Sequence, residues 1–229
     1  MVPVYEAPRS ALPPNHFGSS PLELNSDFGA LAGDALGLVE RRYGDRGLLV
    51  SRERYSSRNR DGDIVCTARD GDAIVGTLSV RFDVAGGLQA DLLFGAELDD
   101  WRAAGIKLCE FGGLAVDKHS HDPKRVLAQI FHLGYLHAHR RAGCDRLVIE
   151  VNPRHVGFYR RCLSLVPITA ARHNPRVDAP AVLMSIDLAE VREQISLWGG
   201  LPDRLGSARS LYPLAWDEAT EATMLARLP

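Results

Sequence analysis

Two stretches of the chain carry residue types whose spacing could do chemistry. In Cys109-Glu110-Phe111-Gly112-Gly113-Leu114-Ala115-Val116-Asp117 one carboxylate stands among apolar residues and paired glycines. A carboxylate held on an apolar strand loses hydration, which raises its pKa, and such a group can take a proton from an amine near neutral pH. That is the task of a general base; a strand glutamate simply paired with an arginine is the competing reading. In Val148-Ile149-Glu150-Val151-Asn152-Pro153-Arg154-His155-Val156-Gly157-Phe158-Tyr159-Arg160-Arg161 an apolar run ends at Asn-Pro, and Tyr159 follows seven residues after Asn152. Asn152 suits an N-cap with Pro153 at the first helical position, whether or not it also binds a ligand. Tyr159 is then a packed aromatic of that helix or a functional phenol.

Other chemistries lose their usual support. There is no G-x-G-x-x-G after a strand, no G-x-x-x-x-G-K-[ST] and no G-x-S-x-G. Asp61-Gly62-Asp63 resembles the start of a calcium loop, but Val65 and Thr67 occupy the next ligand positions, so these residues read as a turn. His119, His121, His132, His137 and His139 put no convergent pair on one helix face, and no metal is expected. The four cysteines, Cys66, Cys109, Cys144 and Cys162, are scattered without C-x-x-C spacing and read as buried, reduced thiols.

The elements that must position Glu110 and Tyr159 follow from periodicity and punctuation. Residues 1–25 include five prolines and form a Pro-rich arm. Apolar residues from Asp27 to Tyr43 recur at three and four, predicting an amphipathic helix. Between Arg41 and Arg60 seven arginines face only Asp45 and Glu53, a local basic excess. Ile64–Ala68 and Ala73–Phe82 are joined by Arg69-Asp70-Gly71-Asp72 and predict a hairpin. A short helix around Leu92 to Ala104 precedes a long strand from Ile106 to Val116, where the glycines suggest a bulge. Pro123 to Ala142 is the clearest helix, with Gly143 at its end; a strand at Leu147–Val151, the Pro153 helix, a strand at Val182–Leu188 and a helix around Glu190 to Trp198 follow. The order predicts an α/β protein with a mixed sheet of six or seven strands: a domain over 26–190 and a C-terminal helical extension over 191–229 that wraps it.

With 229 residues and 45% apolar composition, the chain has enough material for a real core. A net charge of -2 offers no global basic field for nucleic acid or anionic membrane. No stretch reads as a membrane span or signal peptide, which predicts a cytoplasmic protein.

The strand from Glu110 to Asp117, the long helix, the strand into Asn152-Pro153 and the helix with Tyr159 resemble the core of the GNAT acyltransferase superfamily. Val75 through Phe82, Leu98 through Gly105, Glu110 through Asp117 and Asn152 through Arg161 are, together, similar to the N-acyl amino acid synthases, relatives of the acyl-homoserine-lactone synthases. The resemblance covers roughly residues 60 to 190. It implies a GNAT-like sheet with a central splayed strand pair and helices on both faces. It implies that an acyl thioester enters the notch, with pantetheine pairing to the backbone of Leu114, Ala115 and Val116. Glu110 would bind or deprotonate the incoming amine, Tyr159 would protonate the departing thiolate, and Asn152 would bridge to the pantetheine arm. The implied reaction is transfer of a fatty acyl group to an amino acid or related small amine, without a covalent enzyme intermediate and without a permanently bound cofactor. An acetyl-CoA-dependent N-acetyltransferase and a silent acyl-binding protein are the alternatives.

The chain departs from the superfamily before the long helix. Acetyl-CoA users place a Gly-rich turn there to cradle pyrophosphate, whereas Lys118-His119-Ser120-His121-Asp122-Pro123-Lys124-Arg125 has no glycine. An acyl carrier protein presents one phosphodiester on an acidic surface and needs a basic patch more than a glycine cradle. Lys124, Arg125 and the Arg41–Arg60 segment could supply it, which favours a carrier-protein donor over acyl-CoA. The lactone synthases carry an arginine soon after the strand glutamate, where this chain has Phe111-Gly112-Gly113; that removes the sequence support for lactone chemistry.

Overall fold

A computed structural model of the chain describes residues 22–29, 33–45, 47 and 62–228. Strands β1 (Glu23–Phe28), β2 (Ile64–Asp70), β3 (Ala73–Phe82) and β4 (Leu108–Val116) form an antiparallel meander; β5 (Arg146–Val151) joins β4 in parallel, and β8 (Ala179–Asp187) joins β5 antiparallel. Two short strands, β6 (Val166–Pro167) and β7 (Arg172–Asn174), both pair with β8 and complete an eight-stranded sheet. The mixed sheet with helices on both faces is the architecture that the sequence and its resemblance imply, with eight strands in place of the expected six or seven because β6 and β7 add two short ones.

Alternation along the strands assigns the helices to faces. Cys109, Phe111, Leu147, Ile149, Val182 and Met184 pack in one cluster with α3 (Pro123–Tyr135) and α5 (Leu188–Trp198). Leu108, Val148, Ala181 and Leu183 point the other way, onto α2 (Asp91–Ala103), and Val65 and Ala115 meet α1 (Gly33–Gly44) on that same side. Helix α3 begins at the expected Pro123, with Asp122 as N-cap accepting from the Arg125 N–H at 3.0 Å. Every residue from Val126 to Tyr135 is buried, and the backbone then widens into a π-helical stretch over Leu136–Arg141. Between Pro153 and Leu163 runs α4, with Asn152 as its N-cap.

Several boundaries differ from expectation. The helix expected from Asp27 starts at Gly33; Asp27 and Phe28 end β1 instead, and Glu23 to Asn25, assigned to the arm, pair with Arg69 to Thr67. Edge strand β1 lacks a strong apolar alternation, so its pairing is fixed by β2 and by the Ser26 hydroxyl, 2.8 Å from His137 Nε2. The 191–229 extension contributes Leu211, Tyr212, Ala215 and Trp216 to the α3-side core before ending in α6 (Glu218–Arg227). Residues 1–21 and most of the arginine-rich 46–61 segment lie outside the described residues. Among the described residues no helix is long and apolar enough to cross a membrane.

Candidate active site

The site is built by two strands that begin together and part. Strands β4 and β5 pair only at Leu108↔Arg146, Cys109↔Leu147 and Glu110↔Val148. Beyond that point β4 stays with β3 to Gly76↔Val116, while β5 stays with β8 to Val151↔Val182, so a notch opens between them. A bulge in β4 drives the parting. Between the pairs Ser79↔Gly112 and Thr77↔Ala115, Gly113 and Leu114 stand opposite Leu78 alone, and Gly113 takes φ +56°, a conformation that disfavours any side chain. The Thr77 hydroxyl locks the bulge by donating to the Gly113 carbonyl at 2.8 Å.

Glu110 stands at the apex, on the last paired position, and is 5% exposed. Its Oε2 accepts from the Gln89 N–H at 2.5 Å and the Ala90 N–H at 3.2 Å. Helix α2 has no side-chain cap of its own at Ala90, so this carboxylate from β4 serves its free N-terminal donors. Burial pushes the Glu110 carboxyl above its ordinary value; the two N–H donors and the charges of Arg176 and Arg81 oppose that shift without cancelling it. The arginine partnership weighed for Glu110 thus takes the form of charge nearby, with backbone donors making the hydrogen bonds.

Opposite Glu110 in the β3–β4 register is Arg81, whose guanidinium grips Asp63 through Nε at 3.1 Å and Nη2 at 2.6 Å. Both residues are buried. Asp63, expected as a turn residue, is therefore a buried ion-pair partner, and sequence spacing gave no signal of a bond made across 18 positions. With Gln89, Glu110, Gly112 and Gly113, this pair encloses a small polar cavity with room for about one water molecule. Ser79, 8% exposed, lines the same cavity, and its Oγ has no hydrogen-bond partner. A buried hydroxyl without a partner marks a place where a polar ligand group can be received.

The remaining expected residues lie on β4, at the β5–α4 junction, on α4 and on the first turn of α3. Leu114, Ala115 and Val116 are on the β4 wall past the point where β5 leaves. Asn152 ends the β5 wall and caps α4, its Oδ1 accepting from the Arg154 N–H at 3.2 Å. Lys124 and Arg125 are exposed on the first turn of α3, which follows the end of β4. The mouth of the notch is thus flanked by two helix N-termini, a setting that favours an anionic group. Tyr159 is half-buried on α4 against the α3-side core, edge-to-face with Phe158 at 5.4 Å. Glu110 belongs to the α2 side, so the two side chains flank the sheet from opposite faces. Of the apolar residues that could line a deep notch, Phe131, Leu133 and Leu136 are fully packed in the core, and only Phe158 is substantially exposed.

A mixed sheet with a parted parallel strand pair and a bulge in one wall is the fold of the GNAT acyltransferases. The chain belongs to the N-acyl amino acid synthase FeeM family, whose family model matches residues 34–187. Its structure is similar to that of FeeM, an N-acyl amino acid synthase from uncultured soil microbes: 26% identity, TM-score 0.63, covering 75% of this chain and 94% of that one. The AHL synthase LasI shares the fold at 15% identity and TM-score 0.51, over 75% of this chain and 91% of its own. An acyl-CoA N-acyltransferase from Pseudomonas aeruginosa does so at 12% identity and TM-score 0.50, over 72% and 98%. Comparison with curated protein sequences gives no match. The protein is an N-acyltransferase.

Proposed function

We propose that the protein transfers a fatty acyl group from a phosphopantetheine thioester to the amine of an amino acid or similar small metabolite, by direct attack in the β4–β5 notch. The observation that carries this reading is the buried Glu110 at the notch apex, beside a polar cavity with the unpartnered Ser79 hydroxyl. The amine enters from the α2 side, where Glu110 takes the proton of its ammonium; nitrogen then attacks the thioester carbon. Backbone N–H groups near the bulge stabilise the developing oxyanion. As the carbon–nitrogen bond forms and the carbon–sulfur bond breaks, Tyr159 gives its proton to the thiolate from the α3 side; the second proton shed by the nitrogen as the amide forms leaves through water and restores the phenol, and Glu110 returns its own proton to solvent. The pantetheine arm lies along Leu114, Ala115 and Val116, with Asn152 across the notch. The α4 N-terminus, capped by the neutral Asn152, and the basic Lys124 and Arg125 support an acyl carrier protein as donor over CoA. Four free cysteines support a cytoplasmic setting.

A shorter acyl group is the second reading, favoured by the tight packing of Phe131, Leu133 and Leu136, which leaves only a water-sized space beside Phe131. Mass spectrometry of organic extracts from cells expressing wild type or Glu110→Ala separates the two. Long-chain N-acyl amino acids present only with wild type establish the first reading and identify amine and chain. Short-chain amides only with wild type establish the second, and extracts matching the empty vector with soluble, folded protein overturn both.

A further inference from the structure

The loop between β7 and β8 makes an unusual set of contacts with the turn that holds Glu110. Arg176, whose side chain is 9% exposed, donates through Nη1 to the Gln89 carbonyl at 2.9 Å. Its Nη2 is ion-paired with Glu150 Oε2. Asn174 fixes the geometry from its own loop: Nδ2 donates to the same Glu150 oxygen at 3.0 Å, and Oδ1 accepts from the Arg176 N–H at 2.9 Å and Nε at 3.3 Å. Glu150 stands on β5 two residues past Val148, on the wall that parts from β4. One guanidinium thus ties the second wall of the notch to the Gln89 carbonyl. The Gln89 N–H and its neighbour at Ala90 are the donors that hold Glu110 Oε2.

A second strap holds the same loop by different means. Arg172 donates to the Leu93 carbonyl at 2.6 Å, pairs with Glu97 and covers the Phe94 ring at 5.0 Å. It grips the body of α2 and does not reach residue 89. Anchoring the loop therefore does not require Arg176, and the bond to the Gln89 carbonyl needs another account.

We propose that Arg176 is a positioning residue for the Glu110 carboxylate, fixing the 89–90 turn against the Glu150 wall so that its two N–H donors stay aimed at Oε2. The proposal rests on the reading of Glu110 as the base. Charged groups near Glu110 come from three directions: Arg81 with Asp63 from β3 and the end of the 62–63 turn, and Arg176 with Glu150 from the β5–β8 side. Asp91, held by Arg102, lies one residue past the turn and accepts from the Leu88 N–H at 2.6 Å, so the turn keeps its shape when Arg176 is removed but loses its tether.

Carbon-13 labelling of glutamate carboxyls, with Glu110→Gln assigning the resonance, reads the Glu110 titration directly. Thiol release from decanoyl-CoA with a mixture of the common amino acids reads kcat/KM against pH. Removing Arg176 takes away a positive charge and loosens two donors, all of which favour the ionised carboxylate. In Arg176→Gln the midpoint therefore rises by about one pH unit, and the acidic limb of kcat/KM moves up with it. Arg172→Gln leaves both in place although it loosens the same loop. A midpoint that stays put in a natively folded Arg176→Gln overturns the proposal. If that variant fails to fold, Arg176→Lys decides: lysine keeps the charge but cannot span Gln89 and Glu150 together, so a midpoint and limb that move upward support the tether and unmoved ones overturn it. Wild-type turnover in Glu110→Gln would sink the base reading alone, since the carboxyl midpoint in the Arg176 variants reports positioning without any turnover.

Discussion

Two buried carboxylates divide the molecule. Glu110 lies on the α2 side, held by backbone N–H groups; Glu221 on α6 lies against the α3 side, 3.1 Å from His132 Nε2 and 2.5 Å from Arg140 Nη1. Burial raises the pKa of Glu110, whereas the His132 hydrogen bond, against burial and aided by the Arg140 charge, lowers that of Glu221. His132 is itself kept neutral by burial, and its Nδ1 accepts from the Trp216 N–H at 3.2 Å, which leaves the Nε2 proton facing Glu221. The same side chain thus has its ionisation opposed where its hydrogen-bond partners are neutral dipoles, and is held as a fixed tie where one partner is a permanent cation. Burial alone does not make a carboxylate reactive; the chemistry of its partners decides.

The sharpest way to break this contrast is to substitute both glutamates alike. Glu110→Gln keeps an acceptor for the 89–90 donors but removes the proposed base, so kcat is expected to fall by about a hundredfold while thermal unfolding changes little. Equal activity in that variant would erase the distinction. In Glu221→Ala the expected loss is of stability, about 2 kcal/mol by denaturant titration, because Arg140 and His132 lose their partner, with turnover of the folded protein preserved. Tyr159→Phe tests the opposite face of the notch and should lower kcat by about tenfold with KM little changed. A smaller structural effect comes from Gly113→Ala, which forces a Cβ into φ +56° and costs about 1 kcal/mol. Its larger signature is a raised KM for the thioester if the bulge shapes the notch.

Histidine titration gives the gentlest test. His137 is pushed down to about 4 from its ordinary 6.5 by burial, with the Arg141 charge adding to the shift. The unfolded chain therefore binds a proton that the folded chain refuses between those values. This contribution to stability is complete above pH 6.5 and is lost progressively as pH falls from 6.5 toward 4. His132, also shifted down, acts in the same direction. Melting temperatures across that range should fall with acidification, less steeply in His137→Asn; parallel slopes would remove His137 from the account.

What the residue pattern disclosed and what it withheld have physical causes. Glu110 stood out because a lone carboxylate in an apolar strand conflicts with its neighbours, and α3 because Pro123 and its apolar face agree. The bulge was legible in Gly112-Gly113. Asp63 and Arg81 carry no local sign of their partnership, because their ion pair joins positions 18 residues apart and Asp61-Gly62-Asp63 has the local chemistry of a turn. Strand β1 resembles arm and helix start in the sequence because Glu23–Phe28 presents mostly exposed, polar positions that only β2 organises. Strands β6 and β7, at two and three residues, are too short for any periodicity to register. The Arg176 tether was invisible for the same reason as Asp63: its three partners come from separate segments of chain.

The last helix also bears on how the molecule is made. His132 receives its two hydrogen-bond partners from residues 84 and 89 positions further along, at Trp216 and Glu221. During synthesis from the N-terminus, the whole notch can be assembled while one flank of α3 still faces solvent, with His132, Phe131 and Tyr135 unsealed. Folding therefore finishes only after the ribosome has released nearly the entire described chain, and a nascent protein stalled before residue 216 would present a formed sheet with an open, adhesive side to chaperones.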